Sequence, residues 1–133
     1  MPHQKLRLLD AGGLKLSLQR DLLRLMNVRN SLTIEEYLAC DGTVIHDGLP
    51  DLLHLSPQAD TDLQVLADVV RHGISLFEPR LSRVQVRAER DVVRPARARV
   101  VIAAAVMIGQ QLCRVDFDVS LDDQVELMPE AAR

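Results

Sequence analysis

Glu78, Pro79 and Arg80 are the residues whose order carries the sharpest chemistry in this chain. The proline lacks an N–H and pushes Glu78 out of helical geometry. In extended geometry positions 78 and 80 share a face, so the carboxylate and the guanidinium meet. A rigid corner of this kind can present an acid–base pair to a partner, because its fixed backbone lowers the ordering cost of binding. The plainer reading is a helix terminator with a surface ion pair contributing about 0–1 kcal/mol. A third reading makes Glu78 the acid of a glycoside hydrolase. That chemistry needs two carboxylates facing each other at roughly 5–9.5 Å. The neighbouring arginine also lowers a carboxyl pKa, the wrong direction for a general acid.

Other constellations are weaker. The two cysteines, Cys40 and Cys113, and the four histidines, His3, His46, His54 and His72, never fall into metal-ligand spacing. Cys40 and His46 could form a nucleophile and base, but no third orienting group stands at a recognisable spacing. His46 and His54 flank the Asp47–Asp51 turn, where loop histidines are ordinarily solvated. There is no phosphate-binding glycine loop, dinucleotide fingerprint or nucleophile elbow. The sequence therefore calls for no cofactor and no metal. Tyr37, Phe77 and Phe117 are the whole aromatic complement. Sugar clefts and base-stacking platforms need more.

These residues must be positioned by a chain of 133 residues, enough for one domain. Leu18, Leu22, Leu25 and Met26 recur at helical spacing and predict a first helix over 17–28, with Ser17 as its cap. Glu35-Glu36 after Ser31 or Thr33 hints at a short helix within 30–40. Asp41-Gly42 and Asp47-Gly48-Leu49-Pro50-Asp51 are turn chemistry, so 41–56 reads as loop. Ser56-Pro57 opens a long helix over 57–77, with Leu63, Leu66, Ala67, Val70, Ile74 and Phe77 as one apolar stripe. Gly73 within it costs about 1 kcal/mol against alanine, which points to another backbone packed closely there.

After Pro79 the period changes from 3.6 to 2. Val84, Val86 and Ala88 alternate with polar residues, as do Cys113, Val115, Phe117, Val119 and Leu121. Residues 97–108 form a central strand apolar on both faces, joined to the next by a hairpin at Gly109-Gln110-Gln111. A short last strand is expected at 124–128. The fold class is α+β: two N-terminal helices packed on a three- to four-stranded antiparallel meander. Residues 1–16 read as a flexible N-terminal arm, 17–128 as a single domain and 129–133 as a frayed tail. Val101, Ala103 and Ala105 are expected to face a partner or a cover, and the exposed sheet edge invites strand addition.

Composition narrows the class further. The net charge of −3 argues against nucleic-acid binding. No apolar run approaches the length that spans a bilayer, and two cysteines make no disulfide scaffold, so a cytoplasmic protein with free thiols is expected. Residues 80–99 nevertheless carry seven arginines against two acids, whereas 41–79 carry seven acids against one arginine. Blocks of opposite sign suggest docking surfaces or pairing within the chain.

Three segments carry a resemblance. Ser17-Leu18-Gln19-Arg20-Asp21-Leu22-Leu23-Arg24-Leu25-Met26-Asn27-Val28-Arg29 is similar to the opening helix of the TssE family of type VI secretion baseplate subunits. Asp47-Gly48-Leu49-Pro50-Asp51 resembles that family's Tyr-Gly-Leu-Pro-Asp loop, with Asp47 in place of the usual tyrosine. Phe77-Glu78-Pro79-Arg80-Leu81 matches its Phe-Glu-Pro-Arg-Leu signature, followed by Val84-Gln85-Val86. The linker 30–46 departs from the pattern. The family belongs with the baseplate wedge proteins of contractile phage tails, historically labelled lysozyme-like. The resemblance covers roughly 17–121. It implies a cytoplasmic structural protein contacting the subunits TssF, TssG and TssK and helping to start polymerisation of the TssB–TssC sheath. It also implies that Glu78, Pro79 and Arg80 are the partner-contact or loop-ordering element, with Gly48, Leu49, Pro50 and Asp51 as the loop motif. Direct membrane insertion is not implied. The competing reading is a lysozyme-like peptidoglycan hydrolase using Glu78.

Overall fold

The structure, a computed structural model, describes residues 10–41, 47–121 and 127–129. Three helices precede an antiparallel sheet: α1 (Asp10–Asn27), α2 (Ile34–Leu38), α3 (Asp60–Phe77), then β1 (Leu81–Arg90), β2 (Ala98–Ile108), β3 (Gln111–Leu121) and β4 (Leu127–Pro129). The strands pair in chain order, β1-β2-β3-β4, as a meander. The α+β architecture is the one expected, with α2 added to the two long helices. Among the described residues, no helix is long and apolar enough to cross a membrane.

Helix α1 starts at Asp10, seven residues before the predicted Ser17. Leu14 lies one turn ahead of Leu18, in phase with the apolar stripe, and packs against the core. That packing outweighs the helix penalty of Gly12 and Gly13, about 1 kcal/mol each. Helix α2 is short and depends on its cap. Glu36 N donates to Thr33 Oγ1 and Thr33 N donates to Glu36 Oε1, a complete capping box. Helix α3 starts at Asp60, not Pro57. Ser56 and Pro57 form a separate turn, closed by Ala59 N on Ser56 O at 3.2 Å. Asp62 then reaches back to accept from Ser56 N at 2.9 Å.

One face of the sheet packs on the helices. Val86 and Ala88 of β1, Val100, Ile102, Ala104 and Val106 of β2, and Val115, Phe117 and Val119 of β3 join the helix residues Leu18, Leu22, Met26, Leu66, Val70 and Ile74 in one core. The strands alternate because this face is the more deeply buried of the two; Ala105 and Ser120 are the buried residues of the other face. The hairpin between β2 and β3 is a two-residue turn with Gly109 at φ 65, a conformation glycine adopts without strain. Between Ser82 and Gln85 the register of β1 shifts by a bulge, and Arg83 there has φ 51. Strand β4 begins at Leu127, within the predicted last strand; residues 124–126 and the tail beyond Pro129 lie outside the described residues.

The opposite face carries ion pairs across the strands, as Arg99 of β2 with Asp118 of β3, and along them, as Arg114 with Asp116 on β3. Arg99 forks onto Asp118, with Nε 2.7 Å from Oδ1 and Nη2 on Oδ2, and Arg114 meets Asp116 at 3.2 Å. Val101 and Ala103 are half-buried among these side chains, and Ala105 is buried. An open hollow of about 280 Å³ lies over Ala103 and Ala105, edged by Arg83, Gln85, Leu112 and Arg114.

Candidate partner-docking corner

Helix α3 ends where Pro79 forbids another helical residue. Glu78 leaves the helical region (φ −133, ψ 73) while its N–H still donates to Ile74 O at 2.8 Å. Leu81 N then donates to Glu78 O at 3.2 Å, which turns the chain into β1. This tight corner fixes both charged residues by backbone geometry.

The side chains form a closed fork. Arg80 Nε is 2.8 Å from Glu78 Oε2, and Arg80 Nη2 is 2.8 Å from Glu78 Oε1. Arg80 Nη2 also reaches Asp21 Oδ2 at 2.7 Å, and Nη1 reaches Ser17 Oγ at 3.4 Å. Ser17 and Asp21 stand one turn apart on α1, so a single guanidinium ties that helix to the corner. Bidentate charge-assisted bonds of this kind are about twice as strong as neutral ones.

Exposure divides the motif. Glu78 is only 4% exposed, whereas Pro79 and Arg80 are on the surface, the Arg80 side chain at 40%. Burial alone pushes the Glu78 carboxyl up. The hydrogen bonds and charge of Arg80 outweigh that and hold it below its usual value of 4.5. The same hydrogen bonding, donated to Glu78, holds the Arg80 guanidinium above its ordinary value. The outward-facing elements of the corner are therefore the proline ring and the outer edge of the guanidinium. Glu78 touches solvent hardly at all, and both its carboxylate oxygens are taken by Arg80.

This geometry bears on the hydrolase reading. A general acid must hold its proton near neutral pH, and Glu78 is shifted the other way. A hollow of about 300 Å³ lies beside the corner, lined by Asp21, Arg24, Leu25, Val28, Asp47, Gly48 and Phe77. Its two carboxylates are on exposed residues, and Asp21 is already paired with Arg80. Glu78 is not among its lining residues.

The loop motif packs on the chain that leaves α1. Gly48 has φ 80, and a Cβ there would stand 2.2 Å from Val28 O. Only glycine permits this approach, which lets Leu49 N donate to Val28 O and Asn30 N donate to Leu49 O, both at 2.9 Å. Leu49 is fully buried, Pro50 is buried, and Asp51 Oδ1 accepts from Leu53 N at 2.9 Å to close the turn. Asp47 is exposed, and its carbonyl accepts from Asn30 Nδ2 at 3.2 Å. Arg29 Nη1 donates to Met26 O at 2.5 Å and Val28 O at 3.1 Å, satisfying carbonyls at the end of α1.

Sequence reasoning found the corner and the loop but not Ser17 and Asp21 as partners of Arg80. The i,i+4 polar pair on the α1 surface was the available signal. His46 lies outside the described residues, and Cys40 Sγ donates to Glu36 O. Among the described residues, no group of three metal-ligating side chains comes together.

Residues 13–111 match the family model of the baseplate wedge protein gp25. Among solved structures, the chain is similar to a chain of the baseplate complex from the type VI secretion system. The TM-score is 0.56 at 17% identity, covering 81% of this chain and 93% of that one. At that identity the likeness is one of fold. No curated protein is significantly similar to the chain.

Proposed function

Because the chain belongs to the family of the baseplate wedge protein gp25, we propose that it is a structural baseplate subunit of a contractile type VI secretion apparatus, working in the cytoplasm. In this reading it contacts the wedge subunits TssF, TssG and TssK and initiates polymerisation of the TssB–TssC sheath. It does so without catalysis and without a cofactor.

The observation that supports it best is the Arg80 fork. The guanidinium is locked by Glu78 and Asp21, yet 40% of the side chain stays exposed beside Pro79. A cation whose conformation is fixed before binding loses little entropy when a partner docks. Glu78 and Asp21 order the cation, and Arg80 and Pro79 make the contact. Strand addition is the second element. β1 ends the sheet on one side with ten residues, against three in β4. Its length favours β1 as the edge that receives a sheath strand.

The single variant Arg80→Ala would strand a buried carboxylate, so the test uses Glu78→Gln/Arg80→Ala. The expected result is a folded protein, judged by its circular dichroism and melting curve, that fails to co-purify TssF, TssG and TssK and supports no sheath in cells. Normal wedge and sheath assembly by this variant would reduce the corner to an internal tie. Peptidoglycan cleavage by the purified wild type, lost in Glu78→Gln, would overturn the non-enzymatic reading.

A further inference from the structure

The loop between β1 and β2 presents the two most exposed large apolar residues among those described, Val92 at 89% and Val93 at 83%. The loop is built to hold them there. Asp91 Oδ1 accepts from Val93 N at 2.9 Å and Arg94 N at 3.2 Å, and its Oδ2 accepts from Ser120 Oγ at 3.0 Å. The backbone closes with Asp91 N on Arg97 O at 3.1 Å and Arg97 N on Arg94 O at 2.9 Å. From the lead-in to α3, Gln58 Nε2 donates to Pro95 O at 2.7 Å, and Arg90 Nη1 donates to Gln58 Oε1 at 3.2 Å. The only carboxylate of the tip is thereby engaged by the loop and by Ser120 of β3, while Arg90 and Arg94, on either side of the valines in the chain, are exposed.

Two stiff β-branched side chains on a braced loop, flanked in the chain by two exposed arginines, are the pattern of a contact with an apolar centre and a charged rim. We propose that this tip docks into a second protein of the assembly, at an apolar recess rimmed by carboxylates. The sign of the rim follows from the arginines. The bracing removes the ordering cost that an exposed loop otherwise meets on binding. A protein recess suits the tip better than a lipid surface, because two valines without an aromatic or a long aliphatic chain make a weak membrane anchor. Each valine fully buried is worth about tenfold in affinity. The tip stands at the far end of β1 from Arg80, about 30 Å away along a ten-residue strand. It is therefore a separate contact, and it rests on the baseplate reading only in requiring a multi-subunit assembly.

A benzophenone amino acid placed at position 92 or 93 of the full chain, in cells carrying the assembly, tests this. The expected product is a photo-cross-link to one protein, mapped to a segment with carboxylates around apolar residues. Binding of that purified protein should then fall about tenfold or more in Val92→Ser/Val93→Ser, and comparably in Arg94→Glu, with unchanged melting curves. Binding should also weaken as salt rises. No cross-link at either position overturns the proposal, as does a cross-link to a segment without carboxylates. A cross-link to a second copy of this chain would make the tip a self-association surface and overturn it as well. So would binding of phosphatidylglycerol vesicles that the same variants abolish. The outcome is separable from that of the corner: in Glu78→Gln/Arg80→Ala, purified and mixed with the cross-linked partner, tip binding should be intact.

Discussion

The Tyr37 hydroxyl lies over Gly73, where a Cβ would stand only 2.6 Å from the phenol oxygen. Leu49 and Leu25 close the same gap, at 3.0 and 3.4 Å. The close approach expected at Gly73 is therefore made by side chains of α2, the 47–51 loop and α1, not by another backbone. The hydroxyl is buried with no hydrogen-bond partner among the described residues, and burial pushes its pKa up. Removing an unsatisfied buried hydroxyl is neutral or favourable. Tyr37→Phe is expected to leave stability unchanged or raise it by about 1 kcal/mol. Gly73→Ala should cost about 1–2 kcal/mol through overpacking, despite its better helix propensity. The double variant should recover about 1 kcal/mol of that cost, because the clashing oxygen is gone. Urea midpoints of the four proteins check this, and simple additivity would remove the contact from the explanation.

Gly48 has less room to adapt, because its neighbour is a carbonyl oxygen of the backbone. Gly48→Ala combines a strained positive φ with a displacement of Val28, and it breaks the Leu49 N–Val28 O bond. The expected loss is about 2–3 kcal/mol. Hydrogen exchange should localise it, with the Leu49 and Asn30 amides losing protection before those of the sheet. Protection retained at both amides would show that the loop accommodates a side chain.

The Glu78–Arg80 fork sets a pH dependence. The folded-state pKa of Glu78 is below its usual 4.5, so the unfolded chain binds its proton more tightly. The stability this contributes is fully present above about pH 4.5 and is lost as pH falls through the folded value. Glu78→Gln should cost about 1–2 kcal/mol near pH 7, kept modest because solvent screens the half-exposed Arg80. The difference from wild type should shrink steadily below pH 4.5. Asp91, also held low by its backbone hydrogen bonds, keeps its own acid dependence in both proteins. Parallel curves of urea midpoint against pH would rule the fork out as the source.

What the sequence disclosed was local. The stripe of α3 and the alternation of β3 were legible because each element buries a single face, and burial writes its period into the residues. The Glu78–Arg80 pair was legible because proline joins two neighbours. Asp21 was not, since its partner lies 59 residues away and no local rule links them. The start of α1 was misjudged because Gly12-Gly13 reads as a break, while the compensating contact of Leu14 is tertiary. Ser56-Pro57 has the chemistry of a helix start but closes its own turn. The bulge at Arg83 has no sequence signature, because a positive φ there would ordinarily call for glycine.

The meander has a consequence for the order in which the molecule assembles. Each strand pairs with its immediate successor, so the sheet closes only short loops and pays little chain entropy to form. Helix α1 is made first on the ribosome, yet its anchors at Leu49 and Arg80 come much later. Eighteen residues of isolated helix are marginal in water. The helix therefore gains its packed surroundings only from residues that follow it in the chain, Leu49 in the core and Arg80 at the corner.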